Sequence, residues 1–207
     1  MGHYDVIKKR IERVLKDYEE LDSIREDIIR LNREILNNAV IANRLIASGD
    51  MEEARKHILR GLEFYSAAQS KISGVERIED RLFLYRILDE GLKELVEAIL
   101  MYNRLTNDSL GLDLLSKVSN KVFIEGLFDY TGELRRKFLG YLLEGELDKA
   151  REIVDELNSL YDVLSIFIVK SYYLRDFRRR LDQLRSQLIR SLEDLANALY
   201  SRGGVKQ

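Results

Sequence analysis

The chain of 207 residues contains no cysteine, no proline and no tryptophan, and only 12 glycines. The lack of cysteine excludes disulfide bonds, thiolate zinc sites and cysteine nucleophiles, and it fits a reducing compartment. Because proline is the residue that most often ends or kinks a helix, its absence allows long uninterrupted helices. A chain of this length can bury a sizeable hydrophobic core.

Charge of neither sign dominates, since 34 Lys and Arg residues face 36 Asp and Glu residues and the formal net charge is −2. The global charge therefore does not indicate nucleic-acid binding, and such a function has to rest on local patches. No apolar run approaches the length needed to cross a bilayer, and no apolar N-terminal segment precedes a cleavage site. We expect a cytoplasmic protein that makes no membrane contact.

Apolar residues recur at helical spacing along almost the whole chain, and strand-like alternation is absent. The pattern predicts a single all-α domain over 1–207, a bundle of about six or seven mostly antiparallel helices, with 1–3 and 203–207 disordered. Turn signals are Ser48-Gly49-Asp50, the stretch 107–111, and Gly145. The predicted helices are two helices or one bent helix over 4–47, then 51–72, 78–104, a short one near 112–118, 120–143, 147–169 and 174–200.

Two pairs of acidic residues lie beside core-type residues on predicted helices. Glu94 and Glu97 are three residues apart, and Asp129 and Glu133 are four apart, so each pair shares a helical face. A carboxylate next to the core is costly unless it is paired, protonated or bound to a cation. Together the pairs predict an oxygen-rich site for a hard divalent metal, although such spacings also occur on ordinary solvated faces. Gly132, within the second pair, predicts close approach of a backbone or ligand.

Basic residues near these acids are candidates for contacts with RNA phosphates. The same residues could instead form salt bridges within a helix or across a subunit interface, and the sequence leaves both readings open. The candidates are Lys93, Arg135, Arg136, Lys137, Arg178, Arg179 and Arg180.

The segments that carry the acids, GLKELVEA at 91–98 and GLFDYTGELRR at 126–136, resemble the two active-site helices of the translin family. The likeness is to its nuclease member, translin-associated protein X. It continues through SIREDI at 23–28, GELD at 145–148, LYD at 160–162, FRRRLD at 177–182 and YSRG at 200–203. It covers most of the chain and is weakest between Met51 and Glu79.

The resemblance implies an all-α bundle of about seven helices that assembles into hollow octamers. It implies a catalytic subunit that cleaves single-stranded RNA with Mg²⁺ or Mn²⁺, because all four acidic positions are kept. Glu94, Glu97, Asp129 and Glu133 would then be both the catalytic residues and the metal ligands. Single-stranded DNA is a second candidate ligand, and a homo-oligomer, an octamer by resemblance, is the expected assembly.

Two other functions stay open at this point. One is a non-catalytic translin-like oligomer that binds RNA or DNA. The other is an all-α nucleotide pyrophosphohydrolase, a class that also places acidic pairs on helices. Its second pair has the form Glu-x-x-Asp, whereas this chain has Asp-x-x-x-Glu followed by two arginines, and this difference disfavours it.

Overall fold

The computed structural model describes residues 2–166 and 176–203, and their side chains except those of 202 and 203. All seven regular elements within this part are α-helices, joined by one 3₁₀ turn at Leu112–Ser116, and the predicted all-α fold is confirmed. The predicted helix ends at Val169 and Leu174, and the predicted disorder of 1 and 204–207, lie outside the described residues. The helices are α1 His3–Ser48, α2 Met51–Ser73, α3 Ile78–Ile87, α4 Asp89–Thr106, α5 Asn120–Glu144, α6 Leu147–Ser165 and α7 Phe177–Gly203.

The helix α1 is a single element of 46 residues rather than two. Ser23 and Glu26 suggest a helix start in the sequence, but α1 runs through them. Its buried residues begin only at Ile28. From there the helix packs against α2 and α4, so tertiary burial rather than local capping decides its continuity.

The turn between α1 and α2 follows its sequence signal closely. Gly49 adopts a left-handed conformation with φ 90°, which costs least for a residue without a Cβ. The Asp50 carboxylate then accepts a hydrogen bond from the Glu53 backbone N–H at 3.2 Å and caps α2. Gly145 ends α5 in the same way, with φ 76°, so both predicted helix stops are confirmed.

Polar contacts fix how α2 lies along α1. Lys71 Nζ donates to Asp27 Oδ2 at 2.7 Å, and this hydrogen bond holds the pKa of Asp27 below its usual range. Closer to the turn, the His57 ring donates from Nδ1 to Asn38 Oδ1 at 2.9 Å. Because Lys71 near the end of α2 pairs with Asp27 near the middle of α1, whereas His57 pairs with Asn38 closer to the turn, the two helices form an antiparallel hairpin that reaches back to about Asp27.

The predicted helix over 78–104 is interrupted at Leu88, which separates α3 from α4. The Leu88 N–H donates to the Tyr85 carbonyl, three residues back, at 3.0 Å. This is a 3₁₀-type tightening of one turn, with the Leu88 side chain fully buried. The expectation of one helix is therefore wrong. No glycine or proline lies within 78–88, so the sequence carries no local signal for the break.

The described chain divides into two compact units, Met1–Val122 and Phe123–Gln207. In the first unit, α1 packs against α2, α3 and α4. In the second, α6 packs against α7, and the Phe128 and Phe177 rings meet edge-to-face with centroids 5.4 Å apart. The single domain inferred from the sequence stays a prediction. None of the described helices is both long and apolar enough to cross a membrane.

Candidate metal-binding carboxylates and their basic neighbours

The first acidic pair is set by close packing of α4 on α1. A Cβ on Gly91 would lie 2.5 Å from Asn32 Oδ1 and 3.1 Å from the Asn32 carbonyl oxygen, so only glycine permits this approach. The contact fixes the rotation of α4 about its axis. Glu94 and Glu97 then project from the side of the helix adjacent to the Gly91 face.

The two carboxylates of α4 differ in environment. Glu97 is only 7% exposed, and burial of a carboxylate is expensive unless its charge is compensated. Glu94 is half-buried, and its Oε1 lies 3.3 Å from Lys93 Nζ. The first unit thus presents one buried and one partly exposed acid on the same helical face.

The second acidic pair is held by α7. Arg180 Nη1 donates to Asp129 Oδ1 at 2.9 Å, with each side chain 26% exposed, and it lies 3.4 Å from the Glu125 carbonyl oxygen. Glu133, one turn along α5, pairs with Arg136 Nη2 at 3.2 Å. Two arginines on different helices therefore offset the negative charge of this pair.

The predicted basic run at the start of α7 divides into two roles. Arg180 turns toward α5 and contacts Asp129. Arg178 and Arg179 are exposed and line an open polar surface with glutamine and serine side chains and Arg190. Successive helical residues point about 100° apart, which explains why neighbours in the sequence have different surroundings.

Arg135 and Lys137, also predicted RNA contacts, are engaged within the second unit. The Arg135 guanidinium donates to Asp194 Oδ2 at 2.6 Å and to Ser191 Oγ at 2.9 Å, and it lies 4.9 Å from the centre of the Phe138 ring. Lys137 Nζ lies 5.0 Å from the centre of the Tyr141 ring. Of the three basic residues after Glu133, Arg136 is the most exposed, with 74% of its side chain accessible.

Gly132 has open space around its Cα. Among the described residues, a Cβ built on Gly132 meets no atom within 4 Å, so close approach of another backbone is wrong, whereas close approach of a ligand stays a prediction. In the sequence Gly132 stands between Asp129 and Glu133.

Several residues that support these acids were not found from the sequence. Ser191 and Asp194 hold Arg135 from 56 and 59 residues away. Tyr130 donates its hydroxyl to the Glu156 carboxylate and so ties α5 to α6. These are ordinary helical residues, and only folding brings them together, so no local pattern could have identified them.

The chain is similar to several known proteins, although no family model matches it. An uncharacterized protein of Methanocaldococcus jannaschii is 27% identical over 183 residues, covering 87% of this chain and 78% of that protein. AfC3PO, solved in a complex with duplex RNA, has a TM-score of 0.82 and 25% identity, covering 96% of this chain and 100% of that one.

Two more solved structures are similar to this chain over most of its length. AfC3PO in a further crystal structure gives a TM-score of 0.80 and 27% identity over 93% of this chain and 98% of that one. Apo-NeC3PO has a TM-score of 0.75 and 21% identity, covering 91% of this chain and 96% of that one. This similarity supports the fold alone. The chain has the all-α fold of the C3PO proteins, and its structural neighbours belong to the translin–Trax family. The family resemblance seen in the sequence is confirmed.

Proposed function

We propose that this protein is a metal-dependent endoribonuclease that cleaves single-stranded RNA within an assembly of its own copies. The fold supports this, since AfC3PO has been solved with RNA bound. The observation that carries the proposal is the acidic pair on α4, in which Glu97 is only 7% exposed and Glu94 is half-buried on the same side of the helix. We infer that Asp129 of α5 completes the donor set. Glu133 lies one helical turn beyond Asp129 on the same face of α5.

The residues fit a hard divalent cation. All the donors are carboxylate oxygens, the ligand type preferred by Mg²⁺ and Mn²⁺, and the buried Glu97 charge is of the kind that a cation compensates. When bound, such an ion supplies Lewis-acid stabilisation of a phosphate and lowers the pKa of a coordinated water. In this proposal Glu94 and Glu97 would hold the ion together with Asp129 and Glu133.

The basic residues have separate tasks in this proposal. Arg180 orients Asp129 through its hydrogen bond at 2.9 Å, and is therefore a positioning residue. Arg136 pairs with Glu133 yet is 74% exposed, so its guanidinium can also meet an RNA phosphate. The exposed Arg178 and Arg179 add phosphate contacts from α7.

Cleavage of end-labelled RNA tests the proposal. Single-stranded RNA, the same sequence as a duplex, and single-stranded DNA are incubated with Mg²⁺, Mn²⁺ or a chelator. Glu97→Gln and Asp129→Asn should each reduce cleavage at least about a hundredfold, because the electrostatic help of a metal is worth several kcal/mol. The exposed acids Glu90 and Asp155 give the matched controls Glu90→Gln and Asp155→Asn, which should cleave normally.

Metal binding is measured separately, by titrating Mn²⁺ and following the loss of its free electron-spin resonance signal. Glu97→Gln and Asp129→Asn should weaken this binding while the controls do not. If wild-type protein binds RNA without cutting it, the nuclease proposal is wrong and the protein is a non-catalytic RNA-binding oligomer. Hydrolysis of free nucleoside triphosphates instead of RNA would favour a pyrophosphohydrolase.

A further inference from the structure

The first half of α1 carries an apolar seam that faces solvent. The seam consists of Tyr4, Ile7, Ile11, Val14, Tyr18 and Leu21, spaced alternately three and four residues apart. This is the a/d spacing of a coiled coil. Four of these side chains are 43% to 74% exposed, namely Tyr4, Ile7, Ile11 and Tyr18. Soluble monomeric proteins seldom leave a large contiguous apolar patch exposed to water.

The same spacing continues into the core. The d positions that follow are Ile28, Ile35 and Ala42, and two later a positions are Ala39 and Ile46. All five are buried. Arg25 and Asn32 occupy the two intervening a positions and interrupt the apolar seam. The protein's own helices cover the apolar positions in the second half of α1, whereas those in the first half are exposed or half-buried.

Helix length explains the difference. At 1.5 Å per residue, the 46 residues of α1 span about 69 Å and the 23 residues of α2 about 35 Å. Because the turn at Gly49 folds α2 directly back along α1, α2 reaches only to Asp27, where Lys71 pairs with it. The N-terminal half of α1 thus extends beyond α2.

We propose that the exposed seam pairs with the seam of a second copy of this chain, in antiparallel orientation. The flanking charges select this orientation. Lys8 and Arg10 occupy the e and g positions near one end, and Asp17 and Asp22 the g and e positions near the other. A parallel pair sets Asp17 against Asp22 of the second copy, whereas an antiparallel pair sets Arg10 near its Asp17.

The antiparallel register is defined by the seam itself. Ile11 then faces Val14 of the second copy, Ile7 faces Tyr18, and Tyr4 faces Leu21, so every layer contains two apolar residues. Val14, Tyr18 and Leu21 also border a groove whose other wall is formed by 74–77 and Asp80 of the same chain. The contact is symmetric and closed, as in most homodimers.

Substitution within the seam tests the pairing. Ile11→Glu should weaken self-association on the order of a hundredfold, since the symmetric contact loses two buried aliphatic side chains. Val6→Glu is the matched control, because Val6 is equally apolar and 51% exposed but lies off the seam. Sedimentation is compared after circular dichroism has shown unchanged helix content. If Ile11→Glu and Val6→Glu have the mass of wild type, the seam is not an interface.

Orientation is tested with spin labels, for which the absence of native cysteine is an advantage. Glu12→Cys and Glu19→Cys occupy the same heptad position and are both exposed. In the antiparallel pair, the two labels at 12 lie near the symmetry axis, while those at 19 are separated by about 20 Å along the helix axis. A longer distance for 19 than for 12 is expected. Equal distances would overturn the antiparallel pairing, and no intermolecular distance at either site would overturn the second copy as occupant.

Discussion

Arg135 and Arg136 are adjacent arginines for which the structure predicts opposite consequences of mutation. Arg135 is only 16% exposed and bridges α5 to Asp194 and Ser191 of α7. Arg136 is 74% exposed and contacts Glu133 within its own helix. Replacing each by alanine therefore separates a bracing role from a role in binding RNA.

The expected loss for Arg135→Ala follows from its contacts. A hydrogen bond that involves a charged group contributes about 1.5–3 kcal/mol, but Asp194 is 41% exposed, so solvent reduces its share. The contact with the Phe138 ring adds about 0.5–1 kcal/mol. We expect a net loss of about 2 kcal/mol, or a fall in Tm of about 4–8 °C. An exposed pair within one helix is worth about 0.3–0.5 kcal/mol, so Arg136→Ala should be nearly neutral.

Urea unfolding followed by circular dichroism measures stability, and fluorescence anisotropy with labelled single-stranded RNA measures binding. Arg136→Ala should weaken RNA binding and lower the salt slope by about one. Arg135→Lys keeps the positive charge but loses the planar fork, so it should remain less stable than wild type. If Arg135→Ala unfolds like wild type, the contacts with Asp194 and Ser191 do not stabilise the fold and the reasoning fails.

Two further predictions concern sites elsewhere. Burial raises the pKa of Tyr65 to about 12, above its unfolded value of about 10. As the pH rises from 10 to 12, the free energy of unfolding of wild type should therefore fall by about 2–3 kcal/mol relative to that of Tyr65→Phe. Urea unfolding measures this difference, and identical pH profiles of the two proteins would contradict it. Gly132→Ala should stabilise α5 by about 0.5–1 kcal/mol, because its Cβ meets nothing, yet slow RNA cleavage if substrate uses that space. Gly140→Ala, equally open, is the control for cleavage.

How far the sequence predicts the structure depends on whether the cause is local. The stop at Gly49 and the cap at Asp50 are correctly predicted because a left-handed glycine and a capping carboxylate act within a few residues. The break at Leu88 was missed because no glycine, proline or capping residue stands at that position. At Gly132 the sequence does show an unusual residue within a helix, but the space around that residue depends on the fold and could not be predicted.

The same distinction applies to the candidate site. Spacing of three or four residues places Glu94 with Glu97, and Asp129 with Glu133, on one face of a helix whatever the tertiary structure, so acidic pairs can be identified from sequence. Basic residues cannot be assigned in this way, because long side chains choose partners from other helices. Arg179 and Arg180 are consecutive, yet Arg179 is exposed beside Asp176 while Arg180 reaches Asp129 across 51 positions. A basic run therefore indicates that cations lie near a site, and only the structure shows which of them orients an acid and which can meet a phosphate.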